Sequence, residues 1–260
     1  MLTPPKTLFF FMATLAACHS SDDKEEGGDS TFEFAYYAYD CATSAPIFDS
    51  EFCDLLPEQS GEGCGMSNPA GKATVGWDDP PQEGDILTSW TKAGYSSVLM
   101  TGHYRAADYS EWEIMTLQGA PISVNYCFFS ESDNAAWMAT GDVVEDPAMG
   151  QVVYQLTSNS GALLSGAVIS LVDDSGQSHG EVRYQHETAD ELDPSLNATS
   201  ASGLFLISNV EPGNYTLTIS HENLRCGADY SFYTEIDNEV KVPVQAGFMA
   251  SGSVNCRVGG

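Results

Sequence analysis

The run from Gly203 to Ile219 constrains this chain more than any other. Leu204, Leu206 and Ser208 alternate with Phe205, Ile207 and Asn209, so its first half reads as a strand apolar on both faces. Glu211, Pro212, Gly213 and Asn214 then form a turn, since proline fixes φ near −65° and glycine accepts positive φ. Tyr215, Leu217 and Ile219 point one way and Thr216, Thr218 and Ser220 the other, the period of a half-buried strand. The run predicts one hairpin of a β-sandwich and contains no chemistry. Phe32, Phe34, Tyr36 and Ala38 repeat the alternation near the start, as do Val240, Val242 and Val244 near the end. No long apolar stripe of helical period interrupts them, so the expected class is all-β.

The first residues read as a processing signal. Lys6 precedes the ten-residue apolar run from Leu8 to Ala17. That run is too short for a bilayer, which takes about 20 residues of helix. It ends in Leu15, Ala16, Ala17 and Cys18, which resembles a bacterial lipobox. The resemblance implies a signal peptide over 1–17, acylation of the Cys18 thiol and a membrane partner held through lipid. His19 stands where an aspartate would signal inner-membrane retention, so the expected location is the bacterial outer membrane, on its periplasmic or cell-surface face. Ser20 to Ser30 holds no apolar side chain, so 18–30 is expected to be a flexible tether.

Charge excludes one class of partner. Nine Lys and Arg stand against 37 Asp and Glu, a formal −28. Such a surface repels phosphate backbones, so no nucleic-acid partner is expected. Apart from Cys18, the cysteines are Cys41, Cys53, Cys64, Cys127, Cys226 and Cys256, an even number suited to an oxidising compartment. Only Cys226 and Cys256 lie in the second half, so they are expected to pair. The other four allow three connectivities; Cys53 with Cys64 and Cys41 with Cys127 is the preferred one.

Pro147 and Gly150 punctuate the chain near Asp146, which divides it into 31–146 and 147–260. The layout of the first segment resembles that of the second. Glu83 to Trp90 and Gly94 to Met100 parallel Pro212 to Ile219, and Leu117 to Cys127 parallels Val244 to Cys256, the order expected of a diverged repeat. The polar stretch from Ser178 to Ser195 is expected to be a long connecting loop.

Thr199 to Phe205, followed by Val210 to Leu217, resembles the carboxypeptidase regulatory-like domain family, and Gly161 to Leu171 resembles that family's opening segment. The resemblance covers about Gln151 to Val258. It implies small Greek-key, prealbumin-like sandwiches with a carbohydrate-binding-like fold, here two in tandem. Its motifs are turn and core residues, so it implies no catalytic residue.

The remaining constellations are sparse. His179 and His186 with Glu181 and Glu187 match no ligand spacing, and solvated-loop residues are expected there. Asp173 to Gly176 lacks the rest of an EF-hand and reads as a hairpin turn. No nucleophile elbow, zincin helix or phosphate loop occurs, so no enzyme, metal or cofactor is expected. Trp90 and Trp112 are expected in cores, while Trp77, beside Asp78 and Pro80, reads as an exposed loop residue able to stack on a ligand. The expected function is a non-enzymatic envelope module that contacts another envelope protein; the alternative is a carbohydrate-binding surface protein.

Overall fold

The computed structural model describes residues 32–56, 61–77, 84–104, 122–158, 160–228 and 240–258. These are strands with one short helix, arranged in two compact units. The N-terminal unit lies within Phe10–Ala93 and Gly102–Phe128, and the C-terminal unit within Gly94–Thr101 and Phe129–Gly260. The stretches expected to be a signal peptide and a tether, with Cys18 between them, lie outside the described residues. Among the described residues, no helix is long and apolar enough to cross a membrane.

In the N-terminal unit, β1 (Phe32–Asp40) is the centre of one sheet. It pairs antiparallel with β4 (Lys72–Trp77) and parallel with β7 (Ile122–Phe128). The second layer places β2 (Glu51–Leu56) between β3 (Gly61–Met66) and β5 (Gly84–Thr91), both antiparallel. Phe52, Trp90 and Phe128 fill the space between the layers, and the Trp90 and Phe128 rings stack with centroids 3.6 Å apart. Gly65 is required here: a Cβ on it would lie 2.3 Å from the Thr74 carbonyl oxygen.

The C-terminal unit repeats that plan. Strand β8 (Gly150–Ser158) pairs antiparallel with β13 (Leu204–Val210) and parallel with the last strand, β17 (Phe248–Val258). The facing sheet places β9 (Val168–Val172) between β10 (Ser178–His179) and β14 (Gly213–Ser220), with β16 (Val240–Val244) beyond. Asp173 to Gln177 closes the β9–β10 hairpin, as the turn residues predict. Strand β15 (Leu224–Ala228) pairs with the end of β17, and β6 (Ser97–Tyr104) with its beginning. In both units the first and last strands are neighbours running the same way, and the chain changes layers after the first strand. The core holds Tyr154, Leu156, Leu171, Phe205, Ile207, Leu217 and Val242, all nearly or fully buried.

The structure corrects three expectations. First, the run from Gly203 to Ile219 is not a hairpin. Both edges of β13 are taken, by β8 and by β11 (Glu181–Gln185), whereas β14 bonds to β9 and β16 in the facing sheet. Glu211 and Pro212 carry the chain around a corner between layers. A strand apolar on both faces is a central strand, and no edge of it is left for the next segment. The ladder shifts register between Ile207 and Val210, where Asn209 takes φ 53°. The Tyr215 hydroxyl donates to the Glu211 carbonyl (2.9 Å) and fastens the corner.

Second, Ser178 to Ser195 contains β10, β11 and β12 (Leu192–Asp193) rather than one loop. These strands lie toward sheet edges, where one polar face is solvated, so their composition is polar. Third, α1 (Glu131–Thr140) occupies a stretch with no helical apolar stripe, because it buries only Asn134 and Met138. Its start is set by a cap: the Ser130 hydroxyl accepts from the Asp133 N–H at 3.1 Å.

Candidate functional site

All three disulfides have the pairing preferred from sequence: Cys41–Cys127, Cys53–Cys64 and Cys226–Cys256. Cys41 follows β1 directly and Cys127 lies near the end of β7, so this bridge fastens the first strand of its unit to the last. Cys226 and Cys256 face each other across the β15–β17 ladder, and Cys53 and Cys64 across β2–β3.

Trp77 is not in a loop. It is the last residue of β4, opposite Phe32, because the alternation of Ala73 and Val75 carries the strand through it. Trp112 lies outside the described residues, whereas Trp90 is fully buried in the core. The histidine and glutamate set is not gathered. His179 Nε2 lies 2.9 Å from Asp173 Oδ2, Glu181 accepts from Arg183, and His186 Nδ1 accepts from the Thr188 N–H.

The densest polar chemistry was not singled out in the sequence. Tyr36 on β1, Asp54 on β2 and Thr88 on β5 meet between the two layers of the N-terminal unit. The Tyr36 hydroxyl donates to both Asp54 oxygens, at 2.8 and 2.7 Å, and the Thr88 hydroxyl to Oδ1 at 2.6 Å. Asp54 is 0% exposed. Burial, then the Asp54 carboxylate, pushes the Tyr36 hydroxyl far above its usual range, and the same two causes raise Tyr126. A phenol held neutral beside a buried carboxylate is a fixed donor. Buried on all three members, the cluster bolts one sheet of the unit to the other. Strand parity was the available signal, since Phe52 and Asp54 share the inward face of β2.

The exposed counterpart is a rim on the same unit. Phe48 is 61% exposed and Met66 54%. Lys92 extends over the Phe48 ring, 5.3 Å from its centroid, and donates to the Asp49 carbonyl at 2.9 Å. Beneath, the Ser67 hydroxyl donates to the Ile47 carbonyl and accepts from the Ser50 N–H, tying the two rim segments together. Asp49, at φ 55°, holds a backbone conformation that a non-glycine residue rarely adopts. The rim is a fixed surface with one aromatic ring, one thioether and one ion pair, suited to docking rather than to bond-making.

In the C-terminal unit Asp173 gathers several hydrogen bonds. Its Oδ1 accepts from the Ser175 hydroxyl and from the N–H groups of Ser175 and Gln177. These bonds, with the one to His179, hold its carboxyl well below the usual carboxylate range. All of them are spent within the turn, so this group is structural.

No protein-family model matches the chain, and no curated protein matches it. Solved structures give loose overlaps. The Bacillus anthracis TIE protein is 12% identical with a TM-score of 0.28; the overlap takes in 87% of this chain and 34% of that one. This chain therefore spans about a third of that protein's length. The shaft pilin SpaA from Lactobacillus rhamnosus GG is 11% identical, TM-score 0.28, over 88% of this chain and 98% of that one. The group B streptococcus pilus 2b backbone protein is 11% identical, TM-score 0.29, over 87% and 92%. Overlaps this loose transfer no property to the chain.

Proposed function

We propose that this chain is a non-enzymatic, load-bearing module of a bacterial cell envelope, anchored through lipid on Cys18. It carries two prealbumin-like sandwiches of the carboxypeptidase regulatory-like kind outward on the 18–30 tether. The observation behind this reading is the placing of the terminal strands. In each unit the first and last strands are adjacent and parallel, so tension between the unit's ends loads their hydrogen bonds in shear, many at once. In the N-terminal unit the load passes from β1 through Cys41–Cys127 and out, bypassing the chain between them. The rim around Phe48 is then the surface offered to another envelope protein.

Pulling single molecules of the full chain tests the mechanical part. Under oxidising conditions the N-terminal unit contributes almost no extension. Reduction releases about 300 Å more, from the 86 residues spanned by the bridge at about 3.5 Å each. Equal extension in both conditions sinks the proposal. Anchoring is tested apart from this: radiolabelled palmitate enters the wild type and not Cys18→Ser, and the variant leaves the membrane fraction.

A further inference from the structure

The face of the β2–β3 ladder opposite to Phe52 and Asp54 carries an assembly that the mechanical reading does not use. Phe52 and Asp54 point into the core, so Glu51 and Cys53 share the opposite face. Cys64 stands directly across from Cys53, and Met66 directly across from Glu51. Ligand atoms of Glu51, Cys53 and Cys64 all lie within 4.8 Å of one another. Here the two sulfurs are joined as a disulfide.

That disulfide differs from the others in having one exposed cysteine, Cys64, although its partner Cys53 is only 9% exposed. Cys226 and Cys256 are 7% and 1% exposed. Cys41 and Cys127 are half-buried, whereas Cys64 is exposed and lies between Gly63 and Gly65, which add no covering side chain. Opening the Cys53–Cys64 bridge also leaves the sulfurs where they are. The pairs Phe52–Gly65 and Asp54–Gly63 hold the ladder on either side.

We propose that Cys53–Cys64 is a reducible cover over a site for a thiophilic d10 cation such as zinc, with Glu51 as the third ligand. A protein or small-molecule dithiol supplies the electrons. Its thiolate attacks one sulfur of the bridge and forms a mixed disulfide, and its second thiol resolves that bond. The dithiol leaves as its own disulfide, and the bridge becomes two thiols with the two electrons and two protons gained. The cation displaces both thiol protons and takes two thiolates and the Glu51 carboxylate, leaving a fourth position for water, a donor set that suits zinc. Met66, at the next register position on the same face, adds a thioether at the margin of the site.

The test uses the full chain, graded amounts of dithiol, anaerobic removal of the reductant, and cadmium alone as the spectroscopic probe. Two thiols appear first and map to Cys53 and Cys64. The reduced chain then takes up one equivalent of cadmium with a thiolate-to-metal ultraviolet band, and the oxidised chain takes up none. Glu51→Gln, which leaves both cysteines intact, weakens cadmium on the order of tenfold or more, a loss that even outer-shell partners cause. Three results overturn the proposal: Cys226–Cys256 or Cys41–Cys127 opening first, no band after reduction, or a Glu51→Gln affinity equal to wild type.

Discussion

The two units have the same plan but different centres. In the C-terminal unit, Leu171 on β9 faces Leu217 on β14 across the ladder. In the N-terminal unit the corresponding pair is Asp54 on β2 and Thr88 on β5, joined by Tyr36 from the facing sheet. One position in one topology is apolar in one case and ionisable in the other. Leucines there need only volume and contact, so they tolerate small shifts of the layers. A carboxylate with two hydroxyl donors fixes the layers to within a hydrogen-bond length, and it costs desolvation. The sandwich plan therefore accepts either solution, and side-chain chemistry decides whether a unit is held by packing or by a polar bolt.

Exchanging the chemistries breaks the comparison most severely where a charge has no prepared donors. Leu171→Asp is expected to unfold the C-terminal unit, losing about 5 kcal/mol or more, since an unpaired charge in an apolar core is among the costliest changes. Urea unfolding followed by circular dichroism reads it, and a loss under about 2 kcal/mol would show that the unit's centre admits water.

Asp54→Ala comes next, at about 3 to 5 kcal/mol from the N-terminal unit, because it strands both hydroxyl donors in the core. The triple variant Tyr36→Phe, Asp54→Leu, Thr88→Val sharpens the point. It imitates the apolar solution and is expected to recover most of that loss, since removing these three polar groups together strands neither hydroxyl. If the triple variant is as unstable as Asp54→Ala, packing rather than the bolt accounts for the difference. The Trp90 fluorescence of the buried core reports on this unit.

Alkaline pH separates the units without mutation. Tyr36 and Tyr126 both have raised values in the folded N-terminal unit. Below about pH 10, the ordinary tyrosine value, folded and unfolded chains both keep these protons and stability is unchanged. Above it the unfolded chain releases protons that the folded unit retains, so stability falls as pH rises. Tyr184 and Tyr215 in the C-terminal unit are also raised. Unfolding followed by tyrosinate absorbance is therefore expected to proceed in both units, with the N-terminal unit first; the reverse order contradicts the role given to Asp54.

The smallest effect is at the acid end. Asp173 is lowered, first by the Ser175 hydroxyl and then by His179. Its contribution is present above the ordinary carboxylate range and is lost as pH falls through it and below. Protection of the Ser175 and Gln177 amides from hydrogen exchange, relative to the intrinsic rate at each pH, is expected to fall there in the wild type, and to be already low at neutral pH in Asp173→Ala. Equal rates in both proteins would remove the turn's carboxylate from the account.

Much of this protein was determined by the sequence alone. Alternation marked the central strands, since period two follows from the pleat, but not the polar β10, β11 and β12. Asp173 to Gly176 fixed a turn, and cysteine positions alone paired Cys226 with Cys256, while the other four kept three connectivities until the strands brought Cys41 to Cys127 and Cys53 to Cys64. What the run from Gly203 to Ile219 does next was decided only in three dimensions. Two strands joined by a proline-glycine turn read alike whether they bond to each other or part company into facing sheets. The difference lies in which edges are already occupied, by β8, β11, β9 and β16, and no local signal reports that. Helix α1 was hidden for the related reason that it buries little. Asp54 is the sharpest case. One more aspartate among 37 acidic residues carries no sign of its place until Tyr36 and Thr88 arrive from other strands to bond it. A buried polar group is defined by its partners, and those partners are brought together only by the fold.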